Sequence, residues 1–178
     1  MKSQDAQAIF THWNQQGRSV FTLNDLAKLF LDDSPKTLKE GINRLVRQGV
    51  LERAARSVYV YKRAYQRDPN LLEQIAKAMR RGEYSYVSLE SALSEYGVIS
   101  QIPVDRLTIM TTGRKGTYRT PYGTLEFTHT KRPVKELLKR MKDVGRPLRL
   151  ATLEAAWADL KRVGRNTHLV NLGNIDDD

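Results

Sequence analysis

With 178 residues, 40% of them hydrophobic and 28% charged, the chain has a globular composition and room for one domain or two small ones. Thirty Lys and Arg against twenty Asp and Glu leave a formal net charge of +10, which favours a polyanionic partner through counterion release, though the same charge also serves plain solubility. Absence of cysteine excludes disulfides and thiol chemistry, and neither a signal-peptide core in MKSQDAQAIF nor an apolar run of about 18 residues is present, so an intracellular protein without a membrane span is expected.

Ala6, Ile9, Phe10 and Trp13 recur at helical spacing and predict a helix from Ser3 to Gln16, stopped by Gly17. A second helix starts at Thr22, a capping residue, with Leu23, Leu26, Ala27, Leu29 and Phe30 as its core face. The third begins at Pro35 behind the capping Ser34, because proline at the first helical position forfeits no hydrogen bond. Leu38, Ile42, Leu45 and Val46 must then face inward. The opposite face carries Lys36, Glu40, Asn43, Arg44 and Arg47, flanked by Thr37 and Lys39. After Gly49, residues 50–53 and 57–61 alternate as two short strands around Ala55-Arg56.

Three helices followed by a hairpin make a winged helix-turn-helix, expected over residues 1–64. Its third helix would enter the major groove of double-stranded DNA. Candidate contacts are Ser34, Lys36, Thr37, Lys39, Asn43, Arg44 and Arg47, with Arg53 and Arg56 on the wing; Asn43 and Arg44 suit bidentate pairing with adenine and guanine. Glu40 either accepts from a cytosine amine or orients Arg44. Winged helices also serve as protein-interaction modules, so the alternative is a module that sequesters a partner and binds DNA only incidentally.

Residues 63–68 read as a polar connector, and 65–178 as an α+β domain. Pro69 opens a helix bearing Leu71, Leu72, Ile75, Ala76 and Met79, and Ser88 caps another through Tyr96. Residues 107–111, 116–120 and 124–129 predict a small antiparallel sheet. Helices follow at about 134–144 and 152–163, and the acidic tail from Asn171 is expected to fray.

Between Gly113 and Leu150, eleven cations face three acids; over residues 1–62, ten face six. The second part is therefore the more basic. Arg114, Lys115, Arg119, Lys131, Arg132, Lys135, Lys139, Arg140 and Lys142 form either a solvated surface or a second phosphate-contacting patch.

Catalytic and cofactor signals are lacking. His12, His129 and His168 are scattered without ligand spacing, so no metal is expected. Glu126 and Lys131 stand five apart, on opposite faces of a strand, which argues against a nuclease site built from Asp105, Glu126 and Lys131. No phosphate-cradling glycine loop or nucleophile triad occurs. A binding protein is expected rather than an enzyme.

The stretches YSYVSLESALSEYGVI, TPYGTLEFTHTKR and ATLEAAWADLKRVGRNTHLVNL resemble the C-terminal region of AbiEi antitoxins of bacterial type IV toxin–antitoxin, phage-defence modules. Ala151, Thr152, Glu154, Ala156, Asp159 and Leu160 fall in register with that family's pattern. The resemblance implies a cytoplasmic autorepressor that binds inverted repeats in its own promoter and counteracts a co-encoded nucleotidyltransferase toxin. Inverted repeats imply two copies per operator. No heptad seam marks a dimer, so a monomer or weak dimer is expected in solution.

Overall fold

The Phe10 ring lies 5.2 Å from that of Phe21, 5.5 Å from Tyr61 and 6.2 Å from Phe30. Ala6, Leu26, Leu38, Ile42, Leu45, Val50 and Leu51 close around this aromatic cluster. These contacts come from a computed structural model that describes residues 1–62, 68–100, 102, 105–171 and 173. The chain divides into two units, Met1–Leu71 and Leu72–Asp178. The expected boundary at 64/65 and most of the expected connector lie outside the described residues, as does nearly all of the acidic tail.

The first unit runs α1 (Ser3–Gln15), β1 (Val20–Thr22), α2 (Leu23–Leu29), α3 (Pro35–Arg47), β2 (Leu51–Ala55) and β3 (Val58–Tyr61). Strand β3 lies between β1 and β2, antiparallel to both, which completes a winged helix-turn-helix. Three residues are too few to show alternation, and β1 therefore escapes a periodicity reading; it is held by the registers Val20–Val60 and Phe21–Tyr59. Thr22 does cap α2, in a reciprocal box with Asp25. The core face expected for α2 is narrower than its apolar residues suggest: Leu26 is buried, Leu29 and Phe30 are half-buried, and Leu23 and Ala27 are exposed. A seven-residue helix has room for a single inward row.

From α4 (Leu71–Met79), whose first residue closes the first unit, the second unit runs through β4 (Ser85–Val87), α5 (Leu89–Glu95), β5 (Arg106–Thr111), β6 (Gly116–Thr120), β7 (Gly123–His129), α6 (Val134–Lys139), β8 (Met141–Lys142), β9 (Arg149–Ala151) and α7 (Leu153–Val163). The α+β class holds, but the sheet is mixed and six-stranded, in the order β6-β7-β5-β4-β9-β8. Strand β7 inserts between β5 and β6 and so runs parallel to β5; β4 and β9 form the second parallel pair. Alternation along a strand reports which side chains share a face, not which strand lies beside it, so the expected antiparallel sheet is mixed, with two parallel pairs among its antiparallel ones. Gly123 permits the insertion. A Cβ there would lie 2.5 Å from the Asp105 carbonyl, which accepts a 2.7 Å bond from the Thr124 amide, and the backbone has φ 138°.

The helix expected to reach Val144 ends at Lys139. Pairing of Met141 with Ala151 and Lys142 with Leu150 draws the following residues into the sheet and buries Met141. Ser88 precedes α5 but its hydroxyl does not cap it: it donates 2.9 Å to Asp159 on α7.

Candidate nucleic-acid interface

Pro35 occupies the first turn of α3, and the Ser34 hydroxyl accepts from the Thr37 amide at 3.2 Å. The Thr37 hydroxyl lies 2.9 Å from that of Ser34, so both belong to the cap as well as to the surface. Leu38, Gly41, Ile42 and Leu45 are buried, and Lys36, Lys39, Glu40, Asn43 and Arg47 are exposed. At about 100° per residue, 36, 40, 43 and 47 form one narrow stripe opposite the core.

Arg44 stands apart from that stripe. It is half-buried, its Nη2 donates 2.5 Å to the Met1 carbonyl, and its buried Nε has no hydrogen-bond partner among the described residues. The Met1 α-ammonium in turn pairs with Asp33 at 2.8 Å. Residue 44 falls toward Gly41 rather than with Asn43, since Gly41 leaves room for the Met1 side chain, whose sulfur would lie 3.2 Å from a Cβ there. No ion pair joins Glu40 to Arg44, so one of the two roles read for Glu40 lapses in this arrangement.

On the wing, Arg53 and Arg56 are exposed on either side of a register shift between Arg53 and Ala55. The shift turns Ala54 inward, and Ser57 takes a left-handed φ of 59° to close the turn. The Ser57 carbonyl accepts from the Leu23 amide at 3.0 Å, which ties the wing to the start of α2.

The basic residues of the second unit fall into two groups. Arg114, Lys115, Arg119, Lys131, Lys135, Lys139 and Lys142 are exposed, the last with its ammonium 5.1 Å from the Tyr96 ring centre. Arg132 and Arg140 are half-buried against Asp159, at 3.7 and 2.9 Å from the same carboxylate oxygen. The other oxygen of Asp159 accepts from Tyr86 at 3.2 Å and from Ser88. Burial, and then the Asp159 charge, push the Tyr86 phenol far above its ordinary range, so it remains a donor. Arg140 therefore belongs to a structural cluster, not to an open surface. Asp159 was visible only as part of a sequence pattern, because its hydroxyl partners lie more than 70 residues away.

His12, His129 and His168 are exposed and far apart in the chain, and no group of three or more potential metal ligands occurs among the described residues. Glu126 is buried and paired with Arg106 and Arg165 rather than with Lys131. No helix among the described residues is long and apolar enough to cross a membrane.

A winged helix-turn-helix with a cationic third helix is an arrangement that recurs among transcriptional regulators. Residues 11–62 match the family described as transcriptional regulator, AbiEi antitoxin. Among solved structures, the chain is similar to the RV2827C protein from Mycobacterium tuberculosis, with 17% identity and a TM-score of 0.54 over 85% of this chain. It spans 58% of that protein's length, and at this identity the likeness concerns the fold alone. No curated protein matches the sequence.

Proposed function

We propose that this chain is a DNA-binding autorepressor and the antitoxin of a bacterial toxin–antitoxin operon. The observation that carries the reading is the exposed stripe of α3, where Lys36, Asn43 and Arg47, with Lys39 beside them, oppose a buried apolar face on the helix that a winged fold presents to the major groove. Asn43 would read a base edge, Ser34, Thr37 and the lysines would meet phosphates, and Arg53 and Arg56 would touch the backbone beside the groove. Arg44 would join them only by releasing Met1.

The family match supports a regulator and antitoxin; the resemblance of the second unit adds the rest of the proposal. On that basis the operator contains inverted repeats bound by two copies in the cytoplasm, and the second unit counteracts a nucleotidyltransferase toxin. Exposed Arg114, Lys115, Arg119, Lys131, Lys135, Lys139 and Lys142 would extend the phosphate contacts. A footprint of the full chain on the DNA upstream of its own gene tests this reading. Paired protected half-sites are expected, and protection should vanish when Lys36, Asn43 and Arg47 become alanine. Uniform, sequence-independent protection together with a stable co-purifying toxin would instead favour a sequestering module.

A further inference from the structure

In the second unit, Glu90, Arg165, Glu126 and Arg106 form a row of alternating charges. Arg165 donates to both Glu90 oxygens at 2.8 and 3.1 Å and pairs with Glu126 through Nη1. Asn166 adds a 3.0 Å bond to Glu90, and Arg106 Nη1 donates 3.0 Å to the far oxygen of Glu126. The row starts at a buried carboxylate with three donors and ends at a guanidinium whose side chain is 41% exposed. The Nε and Nη2 of Arg106 hold no partner among the described residues.

Arg106 borders a cavity of about 330 Å³, lined as well by the paired Glu90 and Arg165 and by Ser91, Thr108, Asn166, Ile102 and Leu169, at the small end of ligand-pocket sizes. Its hydroxyls are spent: the Ser91 amide donates to the Thr108 hydroxyl at 3.0 Å, and the Thr108 amide to that of Ser91 at 2.9 Å. Ile102 and Leu169 supply the apolar wall. Two non-glycine residues with left-handed backbone adjoin the row, Leu89 (φ 58°) beside Glu90 and Asn166 (φ 56°) beside Arg165. Such conformations persist where the surroundings over-determine them, and they gather at ligand sites.

The row is neutral as a whole, and its Arg106 end has two nitrogens unpaired among the described residues, in a cavity that Ile102 and Leu169 also line. We propose that this cavity binds a small monocarboxylic acid with an apolar body. The carboxylate takes the free N–H groups of Arg106 and extends the alternation by one negative charge. The body lies against Ile102 and Leu169. The site is independent of the DNA reading.

The test titrates the full chain with benzoate, its neutral analogue benzamide and inorganic phosphate, following the methyl signals of Ile102 and Leu169 by NMR. Benzoate should shift both saturably, with benzamide and phosphate at least about tenfold weaker. Arg106→Gln should weaken benzoate by at least about tenfold. Leu169→Trp, which fills the cavity and leaves Arg106 in place, should abolish binding. Equal binding of benzoate and benzamide, of benzoate and phosphate, or of benzoate to wild type and either folded variant overturns the proposal. So does the absence of any saturable shift at Ile102 and Leu169.

Discussion

Arg44 reaches back from α3 to donate a 2.5 Å hydrogen bond to the carbonyl of Met1, whose ammonium is held by Asp33. The contact joins the chain start, the turn before α3 and α3 itself. A residue that reads as a base contact on a helical wheel thus does structural service in the free protein. Replacing Arg44 by alanine should cost about 1–3 kcal/mol of stability, because it strips a charged partner from a part-buried carbonyl. Asn43→Ala, on the exposed stripe, should stay within about 0.5 kcal/mol. Chemical denaturation of the two variants checks the contrast.

Arg53 and Arg56 stand exposed on the wing, with no hydrogen-bond or ion-pair partner among the described residues. Each substitution by alanine should weaken every duplex by a similar factor and lower the slope of log affinity against log salt by about one. Unfolding midpoints should not move. Binding isotherms at several salt concentrations, on operator and scrambled duplexes, provide the check.

Asp159 is the fully buried anion on which Arg132 and Arg140 converge, and it also anchors Tyr86 and Ser88. Asp159→Ala should destabilise the second unit by about 3–5 kcal/mol, since it strips two half-buried guanidiniums of their anion and the buried Tyr86 and Ser88 hydroxyls of their acceptor. Asp159→Asn, which keeps an acceptor, should cost less. Thermal unfolding of both variants measures the order.

Glu90 carries a pH signature. Burial alone would raise its carboxyl pKa, but hydrogen bonds from Arg165 and Asn166 outweigh burial and hold it below the usual value near 4.5. A carboxylate with a lowered folded-state pKa stabilises above the unfolded value and loses that contribution as pH falls through the folded value. Wild type should therefore exceed Glu90→Gln in stability by a constant margin near neutrality, and the margin should shrink as pH drops below about 4.5. Denaturant midpoints of the pair between neutrality and pH 3 follow this difference.

Much of the first unit was legible because its helices are long enough for a 3.6-residue period to emerge and Ser34-Pro35 marks a start without ambiguity. Strand β1 was not, since its pairing with β3 is non-local and only three residues long. In the second unit, β4, β8 and β9 have three residues or fewer and escaped notice for the same reason. Local signals also misled at Ser88, which looks like a cap and instead serves Asp159, and at Met141, which continues a helical pattern yet joins a strand. Charge counting located the basic region but could not separate exposed Lys135 and Lys139 from Arg140, whose partner lies on α7.

The claim that the α3 stripe reads duplex DNA is tested most directly by fluorescence anisotropy. The full chain and its Asn43→Ala variant would be titrated onto the duplex upstream of the gene and onto single-base variants of it. The wild type should discriminate among them, and Asn43→Ala should lose about 1–3 kcal/mol of discrimination at one base position per half-site while keeping its grip on scrambled duplex. Identical discrimination by wild type and variant at every position would contradict the account.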